Sequence, residues 1–280
     1  MKKIGLLLLA ATLGVVFAGC TEIGKAILKN GIRQAAQHAA ESVMEYVGAE
    51  TYTAGNFTYA AADVRAVAVS WVGGSVTLAA GTGDVLHAAE NGTLTDAQQM
   101  RWRIKDGVLE IMYCASGYAG LFPPQSKQLT LEIPAGAAVT VDSVSASVRG
   151  TALTAGDIGL STVSGSVSLT DTAAEKIRLG SVSGAVGGAG LTCDAANVET
   201  VSGSVRLGLS ACGAADINTV SGSVRLSVPT ALGATFRYET VSGNLHCDDY
   251  RVTGDRCIYG NGNCAVSVET VSGGFTLTDQ

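Results

Sequence analysis

Hydrophobic and polar positions alternate with period two from about residue 56 onward. The stretches VRAVAVSWVGGSVTLAAGTGDVLHAAE, RWRIKDGVLEIMY and KQLTLEIP alternate or run apolar, with Gly or Pro between them. A strand points successive side chains to opposite faces, so these runs predict short strands. From Val139 a longer period is laid over the short one. The six-residue phrase TVSGSV starts at 162, 200 and 219. Variants start at 143 (SVSASV), 181 (SVSGAV), 240 (TVSGNL) and 270 (TVSGGF). The valine of the phrase steps by 19 residues through Val144, Val163, Val182, Val201 and Val220, then by 21 to Val241 and by 30 to Val271.

Superposing the copies at 19 residues fixes the flanking columns. One is Val139, Ile158, Ile177, Ala196 and Ala215; the next is Val141, Leu160, Leu179, Val198 and Ile217. Ser143, Thr162, Ser181, Thr200 and Thr219 follow. Beyond the phrase, Val148, Val167, Val186, Val205, Val224, Leu245 and Phe275 line up. Self-similarity at a fixed period means stacked units that share one core.

Parity within one copy locates a corner. Ile158, Leu160 and Thr162 are even-numbered, whereas Val167 and Leu169 are odd. Both sets cannot face inward along one straight strand, so the chain turns within Thr-Val-Ser-Gly. Gly165, Gly184, Gly203, Gly222, Gly243 and Gly273 are expected there for a backbone conformation that a Cβ would hinder. The serines are expected to bond nearby backbone from rung to rung. They are not read as nucleophiles, because no GxSxG or SxxK motif frames them. Two strands and their corners in 19 residues make one coil. Coils paired in parallel about 4.8 Å apart make a β-solenoid.

The N-terminal part reads differently. Lys2 and Lys3 precede an apolar run from Ile4 to Phe17, followed by Ala18-Gly19-Cys20. This is a signal peptide over 1–19 with a bacterial lipobox, so Cys20 is expected to be lipidated and to anchor the chain. Residues 21–48 carry apolar positions at steps near three and four, from Ile23 to Val47, and predict a helix stopped by Gly48. The expected division is 1–19 signal peptide, 20–50 lipidated cysteine and helical spacer, 51–138 N-terminal strands of the solenoid domain, and 139–280 the TVSG coils with a C-terminal cap.

Composition agrees with a thin β structure. The chain is 47% hydrophobic but only 5% aromatic, with 36 Gly against 4 Pro. Its net charge is −6, which becomes −8 once the two leader lysines are removed. An acidic exported chain is a poor nucleic-acid binder. Six cysteines remain after Cys20, an even number that permits disulfides outside the cytoplasm. Cys257 and Cys264 flank the turn-like IYGNGN and form the expected pair. Cys193 and Cys212 share a small-residue column with Ala155, Ala174 and Ala231, and read as small buried hydrophobes or a rung-to-rung disulfide. The absence of CxxC spacing argues against zinc, and no cofactor is expected.

Two outward columns are charged. One holds Arg149, Arg206, Arg225 and His246; the other holds Asp142, Glu199, Glu239 and Glu269. Arg206 and Arg225, one rung apart, form a candidate surface anion site, against the plainer reading of a solvated face. A glycan-cleaving β-helix would need clustered acids beside a basic group. Glu199 and Glu239 have no evident basic partner, so a non-catalytic role is expected.

Taken in order, VAVSWVGGSVTL, RWRIKDGVLEIMY, KQLTLEIPAGAAVTVDSVSASV, the TVSGSV coils and IYGNGNCAVSVETVSGGFTL resemble the domain of unknown function 4097, often labelled an adhesin. The resemblance runs over roughly residues 56–280. It implies an extracytoplasmic β-solenoid and carries no catalytic residues. With the lipobox it implies an envelope-anchored lipoprotein whose solenoid serves as a binding or scaffold surface for envelope glycan or membrane protein. The alternative it implies is an accessory or sensor of an envelope-stress signalling system acting on membrane partners.

Overall fold

The computed structural model describes residues 45–118, 127–247, 250–253 and 256–280. The leader, Cys20 and most of the expected helix lie outside the described residues. The last residues of that helical stripe, 45–48, form a turn rather than a helix. Gly48, at φ 74°, leads into a short 3-10 turn, Ala49–Thr51.

Everything described beyond that point is built from β-strands, with two further 3-10 turns. The strands stack as coils, numbered along the chain. Coil one is Ala66–Trp71 and Ser75–Ala80; coil two is Val108–Met112 and Gln128–Ile133. Coil three is Ala138–Ser143 and Ser147–Thr151; coil four is Asp157–Thr162 and Val167–Thr170. Coils five, six and seven run through Ala173–Ser181, the long bent strands Val186–Thr200 and Val205–Thr219, and Val224–Ser227. Coil eight is Ala234–Thr240 and Leu245–Cys247; coil nine is Cys264–Thr270 and Phe275–Thr278.

Each coil gives one strand to each of two parallel walls. The inward columns of the first wall are those of the sequence: Val139 pairs Ile158, then Ile177, Ala196 and Ala215. In the second wall Val148 pairs Val167, then Val186, Val205 and Val224. These side chains are almost fully buried. Each such Val or Ile contributes roughly 1.5–3 kcal/mol by leaving water. Where Gly150 and Gly188 interrupt the leucine column, Leu153 and Leu191 fill the space: a Cβ on either glycine would meet their side chains.

Spatial order departs from chain order at both ends. Coil one lies between coils two and three: Val67 pairs both Leu109 and Val139. Coil nine lies between coils seven and eight: Val266 pairs both Ala215 and Phe236. The second wall repeats the exchange, with Val76 between Leu129 and Val148, and Phe275 between Val224 and Leu245. Coil eight is outermost at the C-terminal end, and the 30-residue step between Val241 and Val271 supplies its cap: the antiparallel strand Arg256–Tyr259 covers Ala234–Phe236. At the other end, antiparallel strands Arg101–Lys105 and Val85–Glu90 lie on coil two. Covered edges of this kind resist strand addition.

The few aromatics plug the two ends of the core. Trp71 meets Tyr113 edge-on at 4.9 Å near coil two, and Phe236 meets Phe275 at 5.7 Å near coil eight.

Candidate functional site

The TVSG corner is built from three contacts. The hydroxyl of each Thr or Ser that opens the phrase, buried everywhere but at the half-buried Thr240, accepts a hydrogen bond from the backbone N–H three residues on. Thr200 Oγ1 takes Gly203 N at 3.0 Å, Ser181 Oγ takes Gly184 N at 2.8 Å and Thr270 Oγ1 takes Gly273 N at 2.8 Å. The serine of the phrase points out and donates to the valine carbonyl one coil away, as Ser202 does to Val182 at 3.4 Å and Ser272 to Val220 at 3.5 Å. The glycine then passes against its neighbour's backbone. A Cβ on Gly165, Gly184, Gly203, Gly222, Gly243 or Gly273 would lie 1.7–2.0 Å from the carbonyl oxygen of the same corner in the adjacent coil. None of the six is among the residues with positive φ. The glycines therefore answer to close stacking of backbones, not to a left-handed conformation.

The charged columns are rearranged by the exchange of coils. Arg206 and Arg225 are register partners and exposed. Thr276 separates Arg225 from His246. In the other column Glu239 and Glu269 become direct partners, and Arg237 Nη2 sits 2.5 Å from Glu239 Oε1. Glu199 lies between Gly180 and Asn218 in register. One of its carboxylate oxygens is buried without a hydrogen-bond partner, and burial raises its pKa.

The six described cysteines are not joined to one another by disulfides. The expected Cys257–Cys264 pair is not formed. Cys264 hydrogen-bonds Cys212 instead, and Cys212 in turn lies 3.6 Å from Cys193, Sγ to Sγ. Among the described residues no His, Cys, Asp and Glu group is arranged to hold a metal ion. Two of the surface grooves among the described residues bear on these side chains. One, of about 590 Å³, runs over the small-residue column, with Ala174, Cys193 and Cys212 among its walls. The other, of about 440 Å³, lies beside the cap and is lined by Asp216, Arg237 and Arg256 among others.

The family profile described as Toastrack DUF4097 matches residues 117–278. The chain belongs to this family. Its Toastrack domain resembles a solved "putative adhesin" from Bacteroides fragilis, with 11% identity and a TM-score of 0.48 over 80% of this chain and 96% of that one. A "putative cell adhesion protein" from Clostridium sporogenes aligns at 10% identity and a TM-score of 0.40, over 82% of this chain and all of that one. No curated protein matches the sequence.

The sequence did not point to one site in the Toastrack domain. Lys127 is buried near the coil-two end, its Nζ 2.7 Å from Glu90 Oε2. It also donates to the carbonyl oxygens of Gln98, at 2.7 Å, and Tyr113. Its ammonium lies 4.9 Å from the centre of the Trp71 ring and 4.5 Å from that of Tyr113. Burial lowers its pKa, and the Glu90 carboxylate opposes that shift. The one signal was a lysine where KQLTLEIP enters a strand, which gives no hint of a partner 37 residues earlier.

Proposed function

We propose that the protein is an envelope-anchored, non-catalytic lipoprotein whose solenoid serves as an adhesin-like binding or scaffold surface. The lipid on Cys20 holds it at the extracytoplasmic face of the membrane, and the 20–50 segment spaces the domain from it. What carries this reading is the outward register of the second wall. Arg149, Ser168, Gly187, Arg206 and Arg225 follow one another on successive coils. Side chains repeated at about 4.8 Å on a rigid face suit an extended polymer or a partner protein better than a small molecule. The entry of the chain is also consistent. Tyr46, among the first described residues, is tied to Cys114 and Ser116 at the coil-two end, opposite coil eight.

Proximity crosslinking on intact cells, with wild type and Cys20→Ala in parallel, tests the proposal. Capture of wall polymer, host glycoprotein or neighbouring-cell surface material supports it. Capture of membrane sensor or transporter proteins, lost in Cys20→Ala, replaces it with the accessory role in envelope-stress signalling.

A further inference from the structure

We propose that Cys193 and Cys212 form a dithiol site that closes into a rung-to-rung disulfide, with Cys264 as a third thiol that positions Cys212 for attack. Three features of the fold meet there. Cys193 and Cys212 are register partners on coils six and seven. In-register parallel strands lie about 4.8 Å apart, within the roughly 4.4–6.8 Å that disulfides span between Cα atoms. Their sulfurs are already 3.6 Å apart, so closure is chiefly a rotation of side chains. The exchange of coils then brings coil nine, not coil eight, against coil seven, and with it Cys264.

The site is also reachable. Cys193 and Cys212 line the groove over the small-residue column and retain 6% and 7% exposure, whereas Cys264 is sealed at 0%. Ala155, Ala174 and Ala211 line the same groove, together with the carboxyl groups of Glu175 and Asp194, the latter next to Cys193. The thiols of Cys193 and Cys264 flank Cys212 and hold its pKa below the ordinary value, which favours a thiolate on the middle sulfur. Their hydrogen bonds to Cys212, and burial after them, raise Cys193 and Cys264, so they remain thiols and donors.

The oxidant is a small disulfide or the disulfide of a thiol oxidoreductase. The Cys212 thiolate attacks one sulfur of that disulfide. Its S–S bond breaks, and the departing half leaves as a thiolate that takes up a proton. Cys193 then gives up its proton and attacks the Cys212 sulfur. The second half of the oxidant leaves as a thiol, and two protein thiols have been oxidised while one disulfide is reduced to two thiols. That this happens in the cell rests on the extracytoplasmic reading above, but the chemistry does not.

The test uses purified protein and glutathione disulfide, so it stands or falls apart from membrane anchoring. Peptide mapping of wild type should recover Cys193 joined to Cys212, with the mass of the protein lower by about 2 Da. Cys193→Ala should trap one glutathione on Cys212. Alanine already occupies this column at Ala174, so that variant is expected to fold. Cys264→Ala should shift the pH at which the reaction is half-maximal upward, a change that loss of packing alone would not produce. Recovery of a Cys257–Cys264 link, or of Cys193 and Cys212 still open to alkylation while Cys247 and Cys257 are modified, overturns the proposal. An unmoved pH profile in Cys264→Ala removes Cys264 from it.

Discussion

The β-carbon that Gly203 lacks would sit 1.9 Å from the carbonyl oxygen of Gly184 on the coil beneath it. No side-chain rotation relieves such an overlap, because both parties are backbone. Gly203→Ala should therefore force the coils apart and destabilise the domain by about 3 kcal/mol, at the upper end of overpacking costs. Gly159 is the control. A Cβ there meets nothing nearer than 4.0 Å, so Gly159→Ala should leave the urea midpoint within error or raise it slightly. Equal effects of the two substitutions would refute the stacking account of the corner.

The hydroxyl that opens each phrase makes a separate contribution. Thr200→Val keeps the shape but leaves the buried N–H of Gly203 without its acceptor. The expected loss is about 1–3 kcal/mol in equilibrium unfolding. Thr200→Ser should keep most of the stability, since Ser181 fills the same position one coil away.

These corners were legible because every copy repeats the same local demand. Parity located the turn, and the Thr, Ser and Gly columns followed from it. The reason for the glycine was not legible, because a close approach by another coil and a positive φ leave the same residue in the sequence. Coil order was hidden for a related cause. All coils present similar Val, Ile and Leu columns, so nothing in the pattern says that Val266 should lie beside Ala215 and Phe236. Everything that depends on that order was hidden with it, including the approach of Cys264 to Cys212 and of Glu239 to Glu269. The copy at 143–148 is informative in reverse. Ala146 stands in the glycine position and is fully buried, and the coil on its other side turns through Gly73 and Gly74 without the phrase.

Lys127 should be costly to replace. The side chain of Glu90 is 4% exposed, and without the ammonium its charge would be left buried. Lys127→Met is expected to lose about 3–5 kcal/mol, as when one partner of a buried ion pair is removed. Lys127→Met combined with Glu90→Gln should recover part of that loss. A thermodynamic cycle over the two single variants and the double variant measures the coupling.

Glu199 should act in the opposite sense. Burial raises its pKa above the ordinary carboxylate value of 4.5, so the folded chain holds the proton more tightly than the unfolded one. Stability from this group is greatest below pH 4.5 and falls as pH rises through the folded pKa. Glu199→Gln should therefore raise the melting temperature at pH 7 and leave it nearly unchanged well below pH 4.5. Thermal melts of both proteins across pH 3–8 check the crossover. A variant that melts lower at pH 7 would mean that the carboxylate has a stabilising partner.

The exchange of coils eight and nine has a consequence for synthesis. A growing chain emerges from its N-terminus, so the residues of coil eight are complete before the layer on which they rest exists. Until Cys264–Thr270 and Phe275–Thr278 arrive, the open edge of coil seven, from Ala214 to Thr219 and from Val224 to Ser227, has no neighbour to pair with. A stop codon within the last coil would therefore not shorten one end of the stack. It would remove a layer from beneath coil eight and leave the facing edges of coils seven and eight unpaired.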